Sequence, residues 1–416
     1  MQLVEQHVIN RTDPRYAVID EAAFKSKNLY NAALYEIRQS FIFQKQYLNY
    51  NKMDKRMQQH EAYKALPAKV AQQVLKGLHQ NWVSFFEQCK EYKQNPSKFT
   101  GRPKLPKYKH KTEGRNVLVY TLQALAGGQS KKGLQGSIKP SGLPITIETK
   151  QGPTTINQVR IVPRNGYYVV EVVYEKAPKQ AQVDPSFCVG IDLGVTNLAA
   201  IAANREGFVP QLVNGRPIKT WNQWYNKRMK DLKKKLPKND RDRVTKQMER
   251  ITNTRNRRIN HYLHTASRRI IDFLVAQGVG TIIIGKNPLW KQEVNMGRRT
   301  NQNFVQLPHA RFIDMLKYKA ELVGIQVEIT EESYTSKASF LDLDEIPEYR
   351  PDDEEKHVFS GKRIGRRNRL YRTKDGRIIC ADVNGAYNIL RKRRPDAFLK
   401  AKGVAAYVVQ PARLAV

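Results

Sequence analysis

The chain has 416 residues, with 73 Lys and Arg against 38 Asp and Glu, a formal charge of +35 and a pI near 10.0. Charge of that size opposes compaction of the free protein and draws a large polyanion, so nucleic acid is the economical partner. A membrane partner is excluded, because the apolar runs fall far below the ~18 residues of a spanning helix and no basic-then-apolar leader opens the chain.

Cys89, Cys188 and Cys380 are isolated, which leaves neither a disulfide framework nor a cysteine zinc site and makes the cytosol the default compartment. A chain this long is expected to hold roughly two to four domains. Residues 1 to 20 begin with an alternating stretch closed by NRTDP, the mark of a strand that joins a sheet completed later. Residues 21 to 95 read as helices. From Pro67 onward, Val70, Val74, Leu78 and Trp82 recur at i, i+4, and Leu75 and Phe85 widen the apolar face, which predicts an ordinary bundle core.

PSKFTGRPKLPKYKHK, residues 96 to 111, is different in kind. Prolines forbid helix, basic residues alternate with them, and aromatics are interleaved, as in a segment that tracks phosphates and stacks on bases. Arg102, Lys104, Lys107, Tyr108 and Lys109 are the expected contacts, with a solvated linker as the bland alternative. Residues 115 to 177 turn β-rich, and VRIVPRNGYYVVEVVYE is a hairpin that turns at Asn165-Gly166. With the first strand this predicts a small β-barrel interrupted by the helical segment, with a boundary near residue 183.

From Phe187 the pattern becomes strands alternating with helices, a mixed α/β domain. FCVGIDLGVTNLAA, 187 to 200, carries Asp192 along an apolar run into a turn at Gly194. A helical segment over about 219 to 276 follows, and between Lys227 and Arg258 it holds 14 Lys or Arg against 4 Asp or Glu. A solvated face usually carries more balanced charge, so Lys227, Arg228, Arg255, Arg257 and Arg258 are expected to meet phosphates. HYLHTASRRIIDFLV is amphipathic, and its His261 and His264 read as packing residues, since no acid or Cys partner stands at ligand spacing.

TIIIG, 281 to 285, is a buried strand that ends in Lys286 and Asn287. A helix over about 306 to 323 leads to the strand GIQVEIT, then Glu331-Glu332 and YTSKAS. Residues 341 to 355 hold 8 acids and 361 to 377 hold 8 basic residues, a surface insertion whose halves are expected to pair. ICADVNGAYNILRK sets Asp382 after an apolar pair and opens a helix at about Asn384, bringing a helix N-terminus to any bound anion.

An ionised carboxylate on a buried strand is costly unless a cation meets it. Asp192 reads either as a metal ligand or as an Asx-type residue closing a hairpin. Two acids from separate elements of one α/β domain, Asp192 and Asp382, meet the demand of magnesium for hard oxygen ligands at a phosphodiester.

VGIDLGVTNLA, the IIIG strand, YTSKAS and ADVNGAYNIL, in that order and spacing, resemble the RuvC-like nuclease half of TnpB proteins, which insertion sequences encode and which are related to type V CRISPR effectors. TGRPKLPKYK and the basic helices extend the resemblance upstream. It implies an α+β multidomain protein. A β-barrel wedge domain (1–20 and 96–183) would carry an inserted helical recognition domain (21–95). An RNase H-like (RuvC) nuclease domain (184–336 and 379–416) would carry a target-strand-loading insertion (337–378). The implied activity is Mg-dependent, RNA-guided cleavage of double-stranded DNA beside a short transposon-adjacent motif. The guide RNA would come from the transposon end, in a ribonucleoprotein monomer or dimer located in bacterial cytoplasm and on the nucleoid when on target. By the resemblance Asp192 is the first catalytic aspartate and Asp382 the last. Two Mg2+ ions about 3.5 to 4 Å apart would activate water and stabilise the leaving oxygen.

Two departures matter. The middle glutamate of the family follows the strand that here reads TIIIGKN, and no acid stands there. Glu332, Glu331 and, more loosely, Glu293 are the substitutes; strand alternation sends one of the pair toward the metals, and Glu332 is favoured. The alternative is a solvent-exposed strand end. The family's four-cysteine zinc module is also missing, with Ser339 and Asp342 where its first CxxC would fall, so no structural zinc is expected. Two other functions stay open: a nuclease-inactive RNA-guided DNA-binding repressor, and a DNA-strand transferase acting in transposition.

Overall fold

The alternating residues at the start of the chain form β1 (Gln2–Asn10), and helices α1 (Tyr16–Phe43), α2 (Tyr50–Met57), α3 (Glu61–Lys64) and α4 (Ala68–Gln94) follow. The computed structural model describes residues 1–126, 136–152, 154–240, 243–287, 306–349, 357–365, 369–398 and 407–416. Its chain divides into two units, Met1–Lys176 and Ala177–Val416.

In the first unit the predicted hairpin is β5 (Ile156–Arg164) and β6 (Tyr167–Glu175), preceded by β2 (Leu118–Thr121), β3 (Ser137–Ile138) and β4 (Ile147–Glu148). Gly166 takes the left-handed conformation at its turn, φ +77°, which a residue with a Cβ adopts only at a cost. β1 pairs antiparallel with β6 along its whole length, from Gln2 opposite Glu175 to Asn10 opposite Tyr167. The resulting sheet has the order β1-β6-β5-β2. Among the described residues it is open at both edges, where the sequence predicts a closed barrel. Closure would require β1 to meet β2, and β2 offers only Leu118–Thr121. Helices cover the sheet instead: Ile19, Leu29, Leu34 and Ile37 of α1, and Val70, Val74, Leu78 and Trp82 of α4, share one core with Leu118, Tyr120, Ile161 and Val170.

The second unit is built on a six-stranded sheet of order β11-β10-β7-β8-β9-β15. Its strands are β7 (Asp184–Leu193), β8 (Asn197–Ala203), β9 (Gln211–Asn214), β10 (Val279–Gly285), β11 (Gln326–Thr330) and β15 (Ala412–Leu414). β7, β8 and β9 form an antiparallel meander, whereas β10 lies parallel to β7 and β11 parallel to β10. The C-terminal ends of β7, β10 and β11 therefore share one edge. The basic segment forms two helices, α5 (Arg216–Lys234) and α6 (Lys246–Gln277), because Pro237 stands between them; Thr245 caps α6 and Gly278 ends it in the left-handed conformation. α7 (His309–Glu321) and α8 (Ala381–Arg393) complete the described helices.

Alternation along β7 sorts its side chains between two faces. Phe187, Val189, Ile191 and Leu193 enter the core made with α6 and α7. Cys188 enters the core made with Val383, Ala386, Ile389 and Leu390 of α8. Asp192, in phase with Cys188, falls on the α8 side. α8 lies close there because position 190 is glycine: a Cβ on Gly190 would stand 2.1 Å from the Ala386 carbonyl oxygen. A small antiparallel sheet of β12 (Lys362–Ile364), β13 (Leu370–Arg372) and β14 (Ile378–Cys380) precedes α8.

Among the described residues, acids of the insertion are held by backbone N–H groups. Asp342 accepts the Lys374 N–H at 3.0 Å, and Asp344 accepts those of Ser339 at 2.7 Å and Ser360 at 3.1 Å. Turn backbone has unmet N–H groups at fixed positions, and a carboxylate satisfies these without ordering a long arginine. Residues 350–356 and 366–368, part of the two charge runs, lie outside the described residues.

Candidate active site

Asp192 is the next-to-last residue of β7, opposite Ala200 of β8. The first turns of α8 pass directly over it, and a Cβ on Gly385 would stand 2.8 Å from Asp192 Oδ2. Glycine at 385 is what lets the helix backbone reach the carboxylate. Burial raises the Asp192 carboxyl well above the usual range, and the negative charges of Asp382 and Glu332 push it further. Arg363 and Arg369 act in the opposite direction.

Asp382 stands in the first turn of α8, which begins at Ala381 rather than at Asn384 as the sequence predicts. Here the helix dipole favours its negative charge. It is 7% exposed. Asn197, at the start of β8, donates to Asp382 Oδ2 at 2.7 Å, and Arg369 Nη1 reaches the same oxygen at 2.5 Å. Arg363 Nη2 stands 3.8 Å from Oδ1.

Glu331 and Glu332 follow β11 directly. Glu331 pairs with Lys392 of α8 and accepts the Ser333 N–H at 2.5 Å, and these contacts hold its carboxyl below the usual range against the opposing effect of burial. Glu332 points the other way, over the end of β10, where its Oε2 lies 2.9 Å from the place a Cβ on Gly285 would take. Its carboxyl is pushed up to about 7, first by burial and then by Glu331. Asn287 accepts the Glu332 N–H at 2.9 Å, and Lys286 N–H bonds the Thr330 carbonyl at 2.9 Å. The residues at the position where the resemblance calls for an acid thus fix the backbone around Thr330 and Glu332 at the end of the neighbouring strand. Glu293 lies outside the described residues.

The motifs YTSKAS and ADVNGAYNIL meet in space. Asn384 accepts from Phe340 N–H at 2.9 Å and donates to the Ala338 carbonyl at 2.8 Å, while Asn388 donates to Thr335 and Ala338 carbonyls at 2.9 and 2.7 Å. Spaced i, i+4 on α8, the two amides clamp the turn that follows Glu332. The asparagines of α8 carry a signal in their helical spacing, whereas nothing in the sequence marks Asn197, Asn287 or Arg369 as neighbours of these acids.

Three hard-oxygen donors suit magnesium in chemistry. As they stand they do not close around an ion: among the described residues no three His, Cys, Asp or Glu gather as a metal-holding group, and one oxygen of Asp382 is taken by Arg369. His264, on α6, has its imidazole pushed down to about 4 by burial and by Lys319, away from these acids.

The expected phosphate contacts divide. Residues 106 to 111 are tied to α1: Arg38 donates to the Pro106 carbonyl at 2.5 Å, Asn31 brackets Lys109 with two 2.9 Å bonds, and Lys27 reaches the Lys111 carbonyl at 2.6 Å. Arg102, Lys104 and Lys107 stay exposed, and Tyr108 is exposed with the Arg38 guanidinium 4.7 Å from its ring centre. Lys109 is half-buried, with its ammonium 4.9 Å from the Tyr30 ring centre and its backbone held by Asn31. Lys227 and Arg228 of α5 and Arg257 and Arg258 of α6 are exposed. The Arg255 guanidinium, half-buried, bonds Asn222 Oδ1 at 2.8 and 2.6 Å and the Gln306 carbonyl at 3.3 Å. It joins α5 to α6. Arg255→Ala is expected to destabilise the protein by about 1–3 kcal/mol, the cost of orphaning a buried amide. Thermal melting checks this, and an unchanged melting temperature refutes the assignment.

Residues 171–290 match the family model OrfB_IS605, described as a probable transposase, and residues 309–389 match the Cas12f1-like TNB domain. No curated protein matches. Among solved structures the chain is similar to a Cas12f1 complex with single-guide RNA and target DNA, at 15% identity, 89% of this chain, 82% of that one and TM-score 0.53. It is also matched to the mini RNA-guided endonuclease CRISPR-Cas phi3, at 7% identity, 94% and 92% coverage and TM-score 0.46. At such identities the first likeness is one of fold. The chain is a mixed α+β protein whose fold resembles that of the Cas12f1 chain. The transposase-model match over residues 171–290 and the TNB match over 309–389 support a TnpB-like protein. No described helix is long and apolar enough to cross a membrane.

Proposed function

We propose that the protein is an RNA-guided DNA endonuclease of an insertion sequence, with an RNase H-like (RuvC) nuclease centre at Asp192, Glu332 and Asp382. What supports this reading is the placement of three acids at one sheet edge, Asp192 near the end of β7, Glu332 just after β11 and Asp382 in the first turn of α8, with the Asp192 carboxylate against the helix backbone at Gly385 and Glu332 over the end of β10. The meander-plus-parallel strand order agrees with it. These three residues would hold magnesium, which when bound supplies a Lewis acid and lowers the pKa of water. The chain's own part is positional. Asn287 aims Glu332, Asn197 aims Asp382, and Gly385 brings the helix backbone onto Asp192 so that little water remains on that side. Glu331, neutralised by Lys392, serves the fold.

The first unit and the basic helices would supply the nucleic-acid surface, Arg102, Lys104 and Lys107 as phosphate contacts and Tyr108 as a stacking ring. Guide pairing would read the target, leaving the protein a short adjacent motif. Replacing Arg102, Lys104 and Lys107 by Ala is expected to weaken RNA binding at every sequence. The slope of log K against log salt should fall by about 0.7–0.9 per residue removed. An unaltered slope in filter binding would place the contacts elsewhere.

The decisive experiment purifies the protein with the transcript of the element's end, sequences the RNA that comes with it, and offers plasmids carrying a matching target and randomised flanks with Mg2+. Cutting beside one short motif supports the reading. A bound guide with no cutting under any flank leaves an RNA-guided DNA-binding repressor, the second reading, favoured by Lys286 at the strand end and by the Arg369 contact. Absence of bound RNA removes both and favours a strand transferase.

A further inference from the structure

Asp382 is a nearly buried carboxylate, and such a group must be met by a cation or by hydrogen-bond donors. What meets it comes from two places. Asn197 belongs to the nuclease sheet, whereas Arg369 immediately precedes β13 and Arg363 lies in β12. Both arginines thus come from the small sheet or the residue that leads into it, outside the six-stranded sheet that carries Asp192.

Arg369 is unusual in its backbone as well. Its φ is +50°, a left-handed conformation that a non-glycine residue holds only when its surroundings compel it. Its carbonyl accepts the N–H of Ala381, the residue before Asp382, at 2.8 Å, and its Nη1 stands 3.8 Å from where a Cβ on Gly194 would be. The guanidinium therefore lies at the turn that follows Asp192, against Asp382 Oδ2, with a third of its side chain still exposed.

We propose that Arg369 is a positioning residue that acts as a cationic placeholder, occupying the carboxylate of Asp382 until a divalent ion displaces it. This rests on the nuclease reading of the three acids. A guanidinium and a metal ion cannot both take the same oxygen of one carboxylate without repelling each other. Metal entry and Arg369 withdrawal are thus two sides of one equilibrium. Linkage is reciprocal, so a polyanion that draws the guanidinium groups of Arg363 and Arg369 away from Asp382 raises the metal affinity of the site. The centre is held unmetallated in the free protein and becomes receptive when nucleic acid engages the insertion.

The test is calorimetric titration of the full chain, without nucleic acid, with Mg2+. Arg369→Ala is expected to bind Mg2+ about tenfold or more tightly than the wild type, within the usual range of coupling between sites. Arg369→Lys, which keeps the charge, should stay near the wild-type affinity, and Asp382→Asn should lose the site. Thermal melting in chelator verifies folding; if Arg369→Ala does not fold, Arg369→Gln, which keeps a donor without the charge, carries the same comparison. Equal or weaker Mg2+ binding by a folded uncharged variant overturns the placeholder while leaving the nuclease reading in place. Absence of Mg2+ binding in the wild type and in every Arg369 variant overturns the nuclease reading and the placeholder together.

Discussion

Asp192→Ala is expected to lower DNA cutting on the order of 10³-fold or more, as when one member of a unit of catalytic groups is removed, while RNA and DNA binding stay nearly intact. Asp382→Ala is expected to do the same to cutting, yet the two variants should differ in stability. Asp192 is held against its own ionisation by burial and by two neighbouring acids, so at neutral pH the folded state is penalised relative to an unfolded chain in which it ionises freely, and without it the melting temperature of the metal-free protein should hold or rise. Removing Asp382 leaves Arg369 and Asn197 facing each other without their shared acceptor, a loss of about 1–3 kcal/mol. Plasmid cleavage and melting in chelator measure both. Cutting that survives either substitution refutes the assignment, and equal destabilisation of the two variants refutes the electrostatic account.

Substituting the paired glutamates separates them. Glu332→Gln should reduce cutting about as severely as the aspartate variants, whereas Glu331→Gln should leave most of it, since Glu331 is engaged by Lys392 and Ser333. The pH dependence follows from the sign of the Glu332 shift. Its carboxyl in the folded chain stands at about 7 against an ordinary 4.5, so the folded state favours the proton. The stability this gives is whole below about 4.5 and is lost as the pH rises through 7. Above that range Glu332→Gln, which cannot ionise, should stabilise the metal-free protein on the order of 1–2 kcal/mol, a figure kept low because the group retains some contact with water. A melting profile over pH 5 to 8 checks it. Should Glu331→Gln be the variant that stops cutting, the roles of the pair are reversed.

Much of this was legible without a fold. The run FCVGIDLGV puts alternate residues in two phases, and period-two geometry alone places Asp192 opposite to Val189 and Ile191. The i, i+4 series from Val70 to Trp82 emerged as buried core, since a helix face is a local property. The open first sheet was not legible, because edge closure depends on which strands meet, and β2 and β1 are separated by the helices. Nor were the half-buried settings of Lys109 and Arg255, since a basic run has the same letters whether its side chains face phosphate or an asparagine on the next helix.

The sequence alone determined the chemistry available: an excess of cations, two aspartates in apolar settings, and a glutamate pair that follows a strand where the preceding strand offers none. It did so because charge, alternation and helical period are written within a few residues. Only the tertiary structure decided that Glu331 pairs with Lys392 while Glu332 lies over the end of β10, that Asn287 takes the Glu332 N–H, and that Asp382 is shared by Asn197 and Arg369. Those contacts join residues as far apart as 185 positions, and no local pattern encodes a partner at that separation. Their geometry arises when α8 settles onto β7 at Gly190 and Gly385, two places where the missing side chain lets backbone and carboxylate come together.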